Sequence, residues 1–157
     1  MINKIEFRAA LGRFASGVTV ITTKDAAGHR HGITVSAFCS VSLDPPLILI
    51  CIDRHTGSHH AFLESEFFAV NILREDQQHL SDYFASHRDD KFDRFEFEEN
   101  IQGIPVLRNV LVNLECRRVN AHENGDHTIF VGAIERATIN DGNPLLYWHG
   151  NYRKLET

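Results

Sequence analysis

The stretch GITVSAFCSVSLDPPLILI, from Gly32 to Ile50, decides how this chain is read. Its first half alternates. Ile33, Val35, Ala37, Cys39 and Val41 fall on one face of an extended strand, and Thr34, Ser36, Ser40 and Ser42 fall on the other, with Phe38 interrupting the hydroxyl row. After Asp44-Pro45-Pro46 the chain resumes as Leu47-Ile48-Leu49-Ile50-Cys51-Ile52, apolar on both faces and so expected to be buried on both. A hydroxyl-lined strand beside a doubly buried one suits a flat polar ligand held against a β-barrel wall. An ordinary sheet with Ser and Thr on its solvent face would show the same pattern. The alternation alone leaves both open.

Outward from this stretch, strands dominate. Residues 2–15 carry Ile2, Ile5, Leu11 and Phe14 at the spacing of a short amphipathic helix ending near Gly17. Val18 to Thr23 is β-branched throughout and is expected to be a strand, followed by a turn over Asp25–Arg30 containing Gly28. A short helix is expected over Ala61-Phe62-Leu63, a strand over Phe67–Leu73, and a helix capped by Asp76 whose inner face is Leu80, Tyr83 and Phe84. Ser86 to Asn100 is charged, with Phe92, Phe95 and Phe97 interspersed, and reads as a surface loop pinned by aromatics. Two long strands, Val112–Ala121 and His127–Ile139, flank an Asn124-Gly125 hairpin signal, and a last strand covers Leu145–Trp148. The pattern is mainly β: a small antiparallel barrel with short peripheral helices, in one domain over residues 1–157.

Composition narrows the functional classes. The 157 residues are 43% hydrophobic and 24% charged, typical of a soluble globular domain. A formal charge of −5 and no basic cluster argue against a nucleic-acid partner. Cys39, Cys51 and Cys116 are odd in number, lack C-x-x-C spacing and sit in apolar patterns, as expected of core thiols in a reducing compartment. No apolar leader or membrane-length run is written in the chain, so a cytoplasmic protein without a membrane partner is expected.

Several sites are excluded by motif. There is no G-x-G-x-x-G, no G-x-x-x-x-G-K-[ST] and no G-x-S-x-G. His55, His59, His60 and Cys51 lie near one another in sequence, but no second ligand pair completes a tetrahedron, so no metal site is expected. Arg54-His55-Thr56-Gly57-Ser58 leaves a strand and enters a helix, where free backbone N–H groups, hydroxyls and an Arg suit an anion. A plain N-cap by Thr56 or Ser58 explains the hydroxyls equally. Gly125-Asp126-His127 reads either as a turn or as a histidine fixed at a strand end, and Leu145–Tyr152 either as core or as a ring-stacking surface.

Taken together, RFASGVTVITT at Arg13–Thr23, GITVSAFCSVSLDPPLILICI at Gly32–Ile52, FFAVNIL at Phe67–Leu73, LSDYFA at Leu80–Ala85, GDHTIFVG at Gly125–Gly132 and PLLYWHGNY at Pro144–Tyr152 resemble the short-chain flavin reductases. These are the small components of two-component flavin-dependent monooxygenases, such as those hydroxylating phenol or 4-hydroxyphenylacetate. The resemblance implies a split β-barrel, usually a homodimer, that binds FMN or FAD, oxidises NADH or NADPH and supplies reduced flavin to a partner monooxygenase. It implies that Thr34, Val35 and Ser36 hydrogen-bond the isoalloxazine edge, with Ser36 stabilising developing charge. Cys51, Ile52 and Asp53 would flank the ring or ribityl chain, and Arg54 and Ser58 would hold the phosphate. Phe84, Ala85, Lys91 and Phe92 would close the other side. His127 would position the nicotinamide, with His149, Gly150 and Tyr152 lining its pocket. A non-catalytic alternative is a flavin carrier or a flavin- or heme-sequestering protein of the same fold. The GDH motif and the C-terminal Tyr favour the reductase, because a carrier needs no nicotinamide site.

Overall fold

The computed structural model describes residues 1–156. In chain order the elements are α1 (Lys4–Leu11), β1 (Ser16–Gly17), β2 (Thr19–Lys24), β3 (Arg30–Val35), β4 (Phe38–Ser42), β5 (Leu47–Asp53), α2 (His59–Glu64), β6 (Phe67–Ile72), α3 (Gln78–Ala85), α4 (Lys91–Arg94), β7 (Phe97–Glu99), β8 (Pro105–Leu107), β9 (Val112–Asn124), β10 (His127–Ile139), β11 (Leu146–Trp148) and β12 (Asn151–Arg153). Seven strands form one antiparallel sheet in the order β3-β2-β6-β9-β10-β5-β4, and β1-β11-β12 and β7-β8 form two small sheets. This is the mainly β, antiparallel architecture with short helices that the sequence implies.

The expected single strand over residues 33–42 is two strands, and its break closes the fold. β3 and β4 lie at opposite edges of the seven-stranded sheet, yet only Ser36 and Ala37 join them. If the sheet were flat, its edges would stand about 29 Å apart, six spacings of about 4.8 Å. Three peptide steps from Val35 to Phe38 reach at most about 11 Å. The sheet must therefore roll until its edges approach, and the Cys51 N–H, donating to the Ala37 carbonyl at 3.1 Å, continues the β4–β5 ladder into the link. A register shift between Ser40 and Ser42 leaves Val41 as an extra residue. The link and this bulge break the expected same-face row, so Cys39 and Val41 are exposed.

Burial also differs from the expectation for β5. Its residues alternate, with Ile48, Ile50 and Ile52 in the core and Leu47, Leu49 and Cys51 only half-buried. β5 lies beside the edge strand β4, so only its inner face is covered. β2, like β6 and β8, is buried on both faces. Ile21 joins the barrel interior with Phe62, Phe68 and Phe130, while Val20 faces a second cluster containing Leu73, Leu80, Phe84 and Leu107. Its threonines remain polar but satisfied: Thr19, Thr22 and Thr23 donate to the carbonyls of Val35, Pro105 and Phe67. Buried Asn71 and Asn113 clamp β8 onto this outer layer, with Asn71 Oδ1 accepting from the Leu107 N–H at 3.0 Å and from Asn113 Nδ2 at 2.8 Å.

The helices need local corrections. α1 is shorter than expected, opens with an Asn3–Glu6 capping box and buries none of its residues. Asp76 does not cap α3; Gln77 occupies that position, and Tyr83 is half-buried beside buried Leu80, Ser81 and Phe84. The 86–100 segment is not wholly loop, because it forms α4 and β7, but Phe92, Phe95 and Phe97 do pin it to the second core cluster. The β9–β10 hairpin exists, and its central pair is Gly125-Asp126 rather than Asn124-Gly125. Positive φ at Gly125 alone matches a turn with glycine in the first central place.

Gly32 sets how closely α3 approaches the barrel. A Cβ there would lie 2.5 and 2.6 Å from two ring atoms of buried Phe84, whose backbone carbonyl is also bonded to Lys91. Gly32→Ala is therefore expected to destabilise the fold by about 1–3 kcal/mol through overpacking. Urea unfolding checks this, and a midpoint equal to that of the unmodified protein would show that Phe84 is not held tightly.

Candidate functional site

A cavity of about 420 Å³ opens between β3, the turn entering α2, and the α3–α4 segment. β3 contributes Arg30, His31, Gly32 and Ile33; the turn contributes Thr56, Gly57 and Ser58; the opposite wall includes Phe84, Ala85, Lys91 and Phe92. The turn has no side-chain cap. Ser58 precedes α2 without bonding its backbone, and the Thr56 hydroxyl donates to the Asp53 carbonyl at 3.0 Å. The N-cap explanation for these hydroxyls therefore does not hold, and the Ser58 hydroxyl is left facing the cavity.

Three cationic residues line the cavity against one acid, Asp89. Two are already paired. Arg30 bonds Glu99 at 3.0 Å and stacks on Phe97, and Arg88 bonds Asp90 at 3.2 Å. Lys91 differs. Its ammonium donates to the carbonyls of Gly32 (3.1 Å) and Phe84 (2.9 Å), and among the described residues no carboxylate comes within ion-pair distance. An ammonium carries three N–H donors, so one remains for a ligand. Burial pushes its pKa down from the usual lysine value. The wall around Lys91 is braced at Asp90, which accepts from Arg88, from Tyr83 Oη at 2.7 Å and from Arg94 at 3.2 Å. Those bonds, Arg88 first and Tyr83 next, hold the Asp90 carboxyl well below the usual aspartate range.

Next to the cavity is the corner where the sheet closes. Ser36 is exposed on the β3–β4 link, next to Ala37, whose carbonyl accepts from the Cys51 N–H near the end of β5. Val35 and Ile52 point into the core, so they can offer a ligand only backbone groups. Thr34 already donates its hydroxyl proton to the Ser81 carbonyl at 2.6 Å. Burial raises the pKa of the Cys51 thiol, whereas hydrogen bonds from the His55 backbone and ring lower that of Asp53. His127 stands directly opposite Asp53, and the Arg54 N–H donates to the Asp126 carbonyl at 2.9 Å. His127 Nδ1 lies 2.7 Å from the Asp126 carboxylate, which can only accept, so Nδ1 donates and Nε2 is left outward. Arg54 is held loosely, 3.6 Å from Glu123.

The cavity thus gathers residues from 29–33, 56–58 and 84–92, whereas Arg54 lines a separate cleft with His55, Gly125 and Asp126. The C-terminal residues do not join them directly. His149 and Gly150 form the β11–β12 turn, where the His149 N–H donates to the Gly12 carbonyl. Tyr152 reaches α3 instead, with its hydroxyl 2.8 Å from Ser81 Oγ and 2.9 Å from Asp82. The histidines considered for a metal also disperse. His59 is buried against Thr128 at 2.9 Å with its pKa lowered by burial, His55 bonds Asp53, and His60 turns toward Asp25. Sequence reasoning missed Arg88 and the Asp90 brace, because their roles depend on a wall built from two short helices.

Fold and site together define a rolled antiparallel sheet with a cation-lined cleft between β3, the turn into α2 and the α3–α4 segment. Residues 11–156 match the family model described as the flavin reductase like domain. Over 153 residues the chain is 44% identical to the FMN reductase (NADH) SmoA of Agrobacterium fabrum, covering 98% of this chain and 87% of that protein. It is 39% identical to the reductase component of a 4-nitrophenol 4-monooxygenase/4-nitrocatechol 2-monooxygenase from Rhodococcus opacus, covering 96% of this chain and 80% of the relative. Among solved structures, an NADH:FAD oxidoreductase of Streptomyces globisporus, in complex with NAD and FAD fragments, superposes with a TM-score of 0.93 at 33% identity, covering 98% and 93% of the two chains. The chain belongs to the flavin reductase-like family.

Because the folded pKa of Asp90 is depressed, its pairing stabilises the protein above the ordinary aspartate value, near pH 4, and that contribution is lost as pH falls through the lower folded value. Asp90→Asn is expected to lower Tm at pH 7, with the gap from the unmodified protein closing below about pH 4. A gap unchanged across that range would show that the carboxylate's charge contributes nothing.

Proposed function

We propose that this protein is an NAD(P)H-dependent flavin reductase that passes a hydride from NADH or NADPH to FMN or FAD. In this reading it supplies reduced flavin to a monooxygenase partner and acts as one cytoplasmic domain over residues 1–157. The observation that carries the proposal is the cleft beside β3, where the Ser58 hydroxyl and the unclaimed Lys91 donor line one cavity, with Arg54 at the adjoining turn. That donor set fits a flavin phosphate and a ring edge that gains negative charge on reduction. The flavin supplies the redox chemistry when bound, and the protein's part is orientation and electrostatics.

Each residue then has a task. Backbone groups of Thr34, Val35 and Ser36, with the Ser36 hydroxyl, hold the isoalloxazine edge, and Cys51, Ile52 and Asp53 flank it. Arg54 and Ser58 hold the phosphate, assisted by the unclaimed donor of Lys91. Phe84, Ala85 and Phe92 cover the other side. His127 positions the nicotinamide carboxamide through Nε2 and moves no proton. None of the helices among the described residues is long and apolar enough to cross a membrane.

The functional unit is a homodimer in this proposal. α1 leaves Ile5, Phe7 and Leu11 more than half exposed, and Phe14 beside it is 80% exposed. This apolar surface adjoins the β11–β12 turn, through the His149–Gly12 bond and the Trp148 indole N–H donating to the Arg13 carbonyl. A second copy seated there brings His149, Gly150 and Tyr152 to a nicotinamide site that one chain leaves unfinished.

Three outcomes are expected. NADH is consumed when FMN or FAD is added, and no turnover with either flavin would favour the non-catalytic carrier. Arg54→Ala weakens flavin binding about tenfold or more, as expected for loss of a charged hydrogen bond; His127→Ala raises the NADH KM similarly. Unchanged NADH KM and kcat in His127→Ala would remove its assigned role. In sedimentation velocity the protein runs at twice its 17.9 kDa chain mass, and Phe7→Glu with Leu11→Glu shifts it to monomer. A monomeric unmodified protein would overturn the dimer.

A further inference from the structure

We infer that Asp25, His31 and His60 form a binding site for a zinc-class divalent transition-metal ion at the rim of the cavity, with a water completing the coordination. Three imidazole nitrogens, those of His29 and His31 around the start of β3 and that of His60 on α2, approach a single carboxylate oxygen. Asp25 Oδ2 lies 2.8 Å from His31 Nε2, 3.2 Å from His29 Nδ1 and 3.9 Å from His60 Nε2. The ligand atoms of Asp25, His31 and His60 all lie within 4.8 Å of one another. A tetrahedral zinc ion with bonds of about 2.0–2.1 Å spaces its ligand atoms about 3.3 Å apart. The Asp25–His31 and Asp25–His60 separations bracket that value, so an ion needs shifts of about half an ångström in each.

Hydrogen bonding explains part of this cluster but not all of it. His29 and His31 are within bonding distance of the carboxylate. His60, at 3.9 Å, is too far to hydrogen-bond, yet it faces the same oxygen across a gap that one coordinated ion spans. The surroundings are built for such an ion. Only 9% of the Asp25 side chain is exposed, and its second oxygen is fixed by the His29 backbone N–H at 2.9 Å, leaving Oδ2 as a single ligand. His29 and His31 sit two apart on an extended chain, so both fall on one face. The β2–β3 turn is already tied to α2 by the Ala26 N–H donating to Glu64 at 2.9 Å, which carries His60 to the other ligands.

Imidazole with one carboxylate selects zinc-class metals and disfavours magnesium and calcium, which take oxygen ligands. The ion would cross-link the β2–β3 turn to α2 beside the cavity wall that His29 and His31 line. This inference does not depend on the flavin reading, because binding is measured with metal alone.

The test uses the full-length protein without a histidine tag, stripped with a chelator and titrated with Co²⁺ and then Zn²⁺. One Co²⁺ per chain is expected to bind with the visible absorption of a four-coordinate nitrogen–oxygen site, displaced by Zn²⁺, and Zn²⁺ raises Tm. His60→Gln, a largely exposed position that leaves folding intact, is expected to weaken binding by about tenfold or more and to abolish the Tm rise. Asp25→Asn and His31→Gln do the same, while His122→Gln, outside the cluster, binds as before. Absence of stoichiometric binding would overturn the site, as would binding that His60→Gln and Asp25→Asn leave unchanged.

Discussion

Two residues, Ser36 and Ala37, carry the chain from one edge of a seven-stranded sheet to the other. That link is too short for an open sheet, so it enforces the roll and brings β3 against the end of β5. The rest of the site follows from the join. The link bonds the Ala37 carbonyl to the Cys51 N–H next to exposed Ser36, and antiparallel pairing of β5 with β10 sets His127 opposite Asp53. The chain then leaves β5 through Arg54 and turns into α2, which lays Thr56–Ser58 along the same rim. A flat sheet with the same sequence would scatter these groups across its width.

The second constraint is the outer layer on β2 and β3. Absence of a side chain at Gly32 lets the Phe84 ring press against β3, and Lys91 ties the Gly32 and Phe84 carbonyls together. Stability and site geometry therefore share residues here. The lysine that fastens α4 to the barrel keeps one donor for the cavity, and the half-buried setting that depresses its pKa also strengthens whatever bond that donor makes. Asp90 holds the wall from the solvent side, where three donors converge on one carboxylate.

Much of this was legible in the residues. The β-branched run before Lys24, the long β9–β10 hairpin and the aromatic pins at Phe92, Phe95 and Phe97 appear where their patterns place them. Burial was harder to read. β5 is apolar from Leu47 to Ile52 but half-covered in one chain, and β2 carries three threonines yet is buried on both faces because each hydroxyl finds a carbonyl. Composition reports polarity, whereas burial depends on which neighbours the topology supplies. The break at Ser36–Ala37 carried no Gly or Pro to announce it. Of the site, the seam residues and Lys91 were expected from the family pattern. The Asp25–His31–His60 group was not, since its members come together only after the β2–β3 turn packs on α2.

The central claim is that the flavin lies on the seam. Its most direct test is the electron density of crystals soaked with FAD. The expected density places the isoalloxazine ring against the Ser36–Ala37 link and Cys51, with the first phosphate between Arg54 and Ser58. Flavin density elsewhere on the barrel, with the seam empty, would contradict it.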